Sequence, residues 1–181
     1  MILAESFSTP LAVRFAAEGP RGLQALVLCA EFVSPPRRDL LSRVALMLLP
    51  VLFAFGLPES VCRHFLVGEA APKSLVDAVR STVSSVSSGV LAQRLRSVLS
   101  CHESRELQNI SVPLLYISGV GDRLISGRSF QEIRQAMPGI KFASIEAPHF
   151  ILQANPQEAV EAVVTFLRQV RTESGQGIAL E

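Results

Sequence analysis

Along the chain, apolar runs of strand length alternate with amphipathic helical stretches at both ends, while the middle keeps helical periodicity alone. Met1–Ala4 is a short apolar run. A helix over Pro10–Glu18 follows, with Leu11, Ala12, Phe15 and Ala16 as its stripe, and Gly19-Pro20 stops it. Ala25–Ala30 is continuously apolar, the pattern of a strand covered on both faces. Residues 36–110 predict helices only, punctuated by Pro50, Pro58, Pro72 and Gly89. One helix spans Leu40–Leu49. A second, capped by Ser74, runs through Val86, and a third, capped by Ser88, places Leu91, Leu95, Val98 and Leu99 on one face. The serine-rich Ser81–Ser88 reads as a weak helix or hinge, because Val83 and Val86 keep helical spacing. Residues 111–181 return to alternation. Pro113–Ser118 is a strand, and the loop Gly119-Val120-Gly121-Asp122 leads to a helix opening at Ser126 or Ser129 and ending at Ala136 before Pro138-Gly139. Lys141–Ile145 is a short strand. Pro156 starts a last helix whose buried face is Val160, Val163, Val164, Phe166, Leu167 and Val170, and the polar tail over 173–181 is expected to fray. This alternation predicts the α/β class, with a parallel sheet of about four strands and right-handed crossovers. Its core is expected in two pieces, 1–35 and 111–172, around a helical insertion at 36–110.

Composition narrows the function classes. A chain of 181 residues supports one domain, and 49% hydrophobic against 18% charged residues excludes disorder. A net charge of +1 gives no basic field for nucleic acid or an acidic membrane surface, and Arg37-Arg38 is too short for a phosphate patch. Trp is absent and Tyr116 is the single tyrosine, which argues against a base-stacking platform. The uncharged stretch Val44–Leu57 falls short of the ~20 residues of a membrane span and contains Pro50 and Gly56, so it reads as a buried helix pair. Cys29, Cys62 and Cys101 are dispersed and odd in number, as expected of reduced thiols in the cytoplasm. His64, His102 and His149 show no ligand spacing, so no zinc site is expected.

Three residues stand where chemistry is possible. Ser6, in Ala4-Glu5-Ser6-Phe7-Ser8, sits between an apolar strand and a helix with small residues two positions to either side. A sharp strand-to-helix turn around a nucleophile needs that arrangement, although small residues also make ordinary turns there. Asp122 follows a strand in a glycine-bearing loop, where it is either a functional carboxylate or a turn residue bonding its own backbone. His149, in Ala147-Pro148-His149-Phe150, lies between the last strand and the last helix, as a base or as a packing residue. Each follows a different predicted strand, so a parallel sheet carries all three to one edge.

With the chain order Ser6, Asp122, His149, the sequence resembles the α/β-hydrolase superfamily, in its small esterase-like members with a helical cap. Ala4–Ser8 resembles the nucleophile elbow, Pro113–Asp122 the acid strand, and Ala147–Gln153 with Phe166-Leu167 the histidine loop and terminal helix. The resemblance implies a serine hydrolase of carboxylic esters that works through an acyl-enzyme without a cofactor. Ser6 would be the nucleophile, His149 the base, Asp122 its orienting acid and Phe7 N–H an oxyanion donor. Residues 36–110 stand where the family places its cap, and Leu46, Met47, Leu49, Leu52, Phe53 and Phe55 would face an apolar ester substrate or pack the cap on the core. One departure is large: nothing here matches the strands that precede the elbow in that family, nor the loop that gives the second oxyanion N–H. The expectation is therefore a fragment or truncated relative, with self-association through its exposed first strand. Two other readings stand beside esterase activity: an impaired hydrolase-like binding module, and an acyltransferase or other triad chemistry on the same fold.

Overall fold

A computed structural model describes residues 1–31, 56–99, 104–125 and 127–176. The expected helix Leu40–Leu49, the apolar residues Leu46 to Phe55, Arg37-Arg38, Cys101, His102 and the Ser126 helix start lie outside the described residues. Four strands, β1 (Ile2–Glu5), β2 (Leu26–Cys29), β3 (Leu114–Gly119) and β4 (Lys141–Ile145), form one parallel sheet in the order β1-β2-β3-β4. Pairings such as Glu5 with Cys29, Cys29 with Ile117 and Ile117 with Ala143 align the carboxyl ends along one edge.

Burial explains why β2 is apolar at every position. Leu26 and Leu28 face Val13 and Ala16 of α1 (Thr9–Ala17), while Val27 and Cys29 face Ile151 and Phe166 on the opposite side. All four strand residues are buried, so no position is left for a polar side chain. The first face is completed by α5 (Ser104–Gln108) and α6 (Gly127–Ala136), through Leu107 and Ile133. The second is completed by α7 (Ile151–Ala154) and α8 (Pro156–Gln176). Phe130, Phe142 and Tyr116 stack where α6 crosses from β3 to β4.

Between β2 and β3 the described residues form helices and no strand. These are α2 (Glu59–Cys62), which widens into a π-turn over Arg63–Val67, then α3 (Lys73–Ser84) and α4 (Ser88–Leu99). Cys62, Val67, Val76 and Val79 form their own small core against Phe150. Several boundaries differ from the sequence expectation. Pro72, not Ser74, caps α3, because its carbonyl takes Leu75 N–H and Val76 N–H at 3.1 and 3.3 Å. Ser87, not Ser88, caps α4, its hydroxyl accepting from Val90 N–H at 3.4 Å. The serine-rich stretch is helix to Ser84 and then a turn. The short helices α2, α5 and α7 carry too few turns to show a period in sequence. The last helix continues to Gln176, into the part expected to fray, with Glu173 paired to Lys141 at 3.3 Å.

Burial pushes the Cys29 thiol up to about 12, with the Glu5 charge adding to it, and burial likewise raises Tyr116. In an unfolded chain these groups ionise at about 8.5 and 10 respectively. The folded form holds its protons longer, so stability is full below pH ~8.5 and declines as the pH climbs toward the folded values. Denaturant titrations between pH 7 and 11 should show that decline, and Cys29→Ala should make it shallower.

Candidate active site

The site begins at the end of β1. The chain leaves the strand through a single tight turn, Ser6–Ser8, before α1 starts at Thr9. Ser6 takes φ +52°, a left-handed conformation that non-glycine residues adopt at a cost of roughly 1–3 kcal/mol. The turn is held from both sides. Buried Thr9 donates its hydroxyl to Ser6 O at 2.6 Å, and Ser8 Oγ donates to Glu5 O at 2.8 Å while accepting Glu5 N–H at 2.9 Å. Ala4 is 4% exposed and packed in the core, where a larger side chain has no room. The strain turns Ser6 Oγ outward beyond the carboxyl end of the sheet.

There it meets His149 Nε2 at 2.7 Å, and His149 Nδ1 meets Asp122 Oδ2 at 2.9 Å. The His149 and Asp122 side chains are only 1% and 4% exposed, so water competes little for these bonds. Asp122 Oδ1 also accepts Leu124 N–H at 2.8 Å and Ile125 N–H at 3.0 Å, which fixes the carboxylate plane. An ionised carboxylate only accepts, so the imidazole proton sits on Nδ1 and Nε2 is left to accept from Ser6 O–H. Asp122 therefore does bond its own loop, as a turn aspartate would, and spends its second oxygen on His149.

The histidine loop is fastened by backbone as well as by side chains. Gly119 and Gly121 lie under it, with Gly121 N–H donating to Ala147 O at 3.0 Å and Val120 N–H to Ile145 O at 2.9 Å. A Cβ at Gly119 would lie 2.5 Å from Ala147 O and 2.7 Å from Pro148 O, so only glycine fits. Phe150 N–H donates to Leu66 O at 2.9 Å, tying the loop to the helices above. Glu5, one residue before Ser6, takes Leu152 N–H at 2.9 Å and Gln153 Nε2 at 2.8 Å, joining the serine turn to the helix after His149. Arg123, beside Asp122, reaches His64 and Glu69 of the helical segment.

Ser6, Asp122 and His149, singled out from the sequence, are thus brought together. Phe7 follows Ser6 in the turn, half-buried against Leu124 and Ile125. Asp77 lies on α3, paired with Lys73 at 3.0 Å, away from the site. Sequence reading missed the roles of Glu5, Thr9 and Gly119. Glu5 and Gly119 stood inside quoted motifs, but their partners lie far along the chain. It also missed Glu31, fully buried just beyond β2, whose charge helps raise Tyr116. Behind Asp122 lies a cavity of about 250 Å³ bounded by Tyr116, Ser118, Val120 and Phe130. Among the described residues no three His, Cys, Asp or Glu side chains are grouped to hold a metal ion. No described helix is long and apolar enough to cross a membrane.

No sequence-family model matches the chain, and no curated protein sequence matches it. Solved structures do. A bromoperoxidase from Bacillus anthracis superposes with a TM-score of 0.79 at 16% identity, over 92% of this chain and 66% of its own. A carboxylesterase structure from Nitrososphaera gargenis gives 0.72 at 17% identity, over 95% of this chain and 65% of its own. The enol-lactonase of Burkholderia xenovorans LB400 gives 0.69 at 19% identity, over 92% and 64%. This is the α/β-hydrolase fold. The chain spans about two thirds of the length of the α/β-hydrolase structures it matches, and those neighbours are named as hydrolases, esterases and bromoperoxidases.

Proposed function

We propose that the chain carries serine-hydrolase chemistry directed at carboxylic esters. One observation carries the reading: a strained Ser6 donating to a buried imidazole whose other nitrogen is held by a carboxylate. Ser6 Oγ attacks the ester carbonyl as its proton passes to His149 Nε2. The tetrahedral oxyanion is met by Phe7 N–H, and the C–O bond breaks as the imidazolium returns its proton to the leaving alcohol. Water then repeats the sequence against the acyl-enzyme and frees Ser6. Asp122 holds the tautomer and offsets the imidazolium charge. The carboxylesterase and enol-lactonase names of two neighbours fit an acyl C–O bond as the target. In this reading the helices between β2 and β3 act as the cap. Hydrolysis of p-nitrophenyl butyrate tests it: turnover is expected in the native chain and none in Ser6→Ala or His149→Ala at unchanged melting temperature. A Ser6→Ala variant that matches the native rate contradicts it.

A second reading, a hydrolase-like module of low turnover that works with a partner surface, is favoured by the free side of the sheet. Among the described residues β1 is an edge, and Met1, Leu3, Leu11 and Phe15 are 51%, 41%, 62% and 48% exposed on it and on α1. An apolar edge invites pairing with another chain. Sedimentation velocity should therefore show self-association that rises with concentration and is reduced by Leu3→Lys. A strict monomer at every concentration would remove this reading.

A further inference from the structure

Arg94 stands on α4, the helix that touches the Ser6–Ser8 turn, and its guanidinium carbon lies 5.5 Å from the centre of the Phe7 ring. Phe7 is the residue after Ser6, so this cation stands over the side chain that follows the proposed nucleophile. The other arginines of the helical segment whose partners are described are already engaged. Arg63 bonds Glu59 and the Ala71 carbonyl at 2.8 and 2.7 Å, and Arg80 bonds the Leu57 carbonyl at 2.9 Å. Arg94 makes no ion pair or hydrogen bond among the described residues, and its side chain is exposed. Glu5, the carboxylate adjacent to Ser6 in sequence, is already taken by Leu152 N–H and Gln153. Next to Ser6, Phe7 shares one partly buried apolar cluster with Leu124 and Ile125. An apolar cluster beside the nucleophile with an available cation over its Phe7 suits an acyl chain that is apolar along its length and anionic at its end.

We propose that Arg94 recognises a carboxylate on the acyl side of the substrate, so that the preferred esters are half-esters of short dicarboxylic acids. The proposal rests on the serine-hydrolase reading and names its substrate class. An exposed cation–π contact is weaker than a charge-assisted, two-pronged pair with a carboxylate, so an arriving carboxylate takes the guanidinium from the ring. No covalent step is added. The carboxylate positions the ester carbonyl against Ser6 Oγ and the Phe7 N–H.

Two measurements on the full chain decide it. In a pH-stat, kcat/KM for monoethyl glutarate is compared with that for ethyl butyrate in the native chain, Arg94→Gln and Arg94→Lys. Hydrogen bonds to charged groups predict a native preference for the anionic ester of roughly ten- to a hundredfold. Arg94→Gln is expected to collapse that preference by about tenfold or more, and Arg94→Lys to keep part of it. In parallel, calorimetric titration with glutarate itself is expected to show binding that Arg94→Gln loses and that salt weakens. Equal losses on both esters would mean that Arg94 only clasps α4 to Phe7, and would overturn the proposal. No glutarate binding, or binding unchanged in Arg94→Gln, would overturn it too. If neither ester turns over and a fluorophosphonate leaves Ser6 unlabelled, the hydrolase reading fails, and the glutarate titration still decides on its own whether Arg94 holds a carboxylate.

Discussion

Replacing Asp122 with asparagine is expected to lower kcat on p-nitrophenyl butyrate by about 10⁴-fold while leaving the fold intact. The amide oxygen of asparagine keeps accepting Leu124 N–H and Ile125 N–H, the bonds that shape the loop at 2.8 and 3.0 Å. Its NH₂ then faces His149 Nδ1, which must accept, and the ring proton moves to Nε2. Ser6 O–H loses its acceptor at that nitrogen, and the imidazolium loses the carboxylate that offsets its charge. Asp122→Ala differs in kind, because it removes the acceptor for both loop N–H groups and should lower the melting temperature as well. Steady-state rates and melting curves on the two variants separate these effects. A kcat for Asp122→Asn within tenfold of native would remove Asp122 from the relay.

Gly119→Ala is expected to be nearly as damaging by a mechanical route. The added Cβ would stand 2.5 Å from Ala147 O and 2.7 Å from Pro148 O, both backbone atoms with no side-chain freedom to yield. The backbone ahead of His149 must move, and a displacement near 1 Å costs on the order of 10²-fold in a positioned reaction. The same shift strains the Gly121 N–H to Ala147 O bond, so the melting temperature should fall too. Gly139→Ala is the matched control, since nothing lies within 4 Å of a Cβ there. Equal behaviour of the two variants in rate and melting would contradict this close approach.

The sheet was legible because each strand is short and followed by a turn, and β2 and most of β3 are apolar runs. Leu26–Cys29 is buried on both faces, and that requirement alone forces a continuous apolar run. Ser6, Asp122 and His149 were legible for a related reason: a parallel sheet sends the residues after its strands to one edge. What escaped depends on contacts between distant segments. Glu5 finds Leu152 and Gln153 almost a full chain length away, and nothing local marks it as different from a surface glutamate. Gly119 reads as turn chemistry, yet its constraint comes from the backbone of residues 147 and 148. The caps of α3 and α4 were each displaced by one or two residues. In that serine-rich stretch several side chains compete for one N-terminus, and at α3 the proline carbonyl wins. Arg94 was one of many scattered arginines until α4 set it over Phe7.

Covalent labelling reads most directly whether Ser6 is a nucleophile activated by His149. The chain is incubated with a fluorophosphonate, digested, and the phosphonylated residue located by mass spectrometry, alongside Ser6→Ala and His149→Ala. One adduct is expected on the peptide bearing Ser6, absent in Ser6→Ala and formed far more slowly in His149→Ala. An adduct on another residue, or labelling of Ser6 at the same rate without His149, would contradict it.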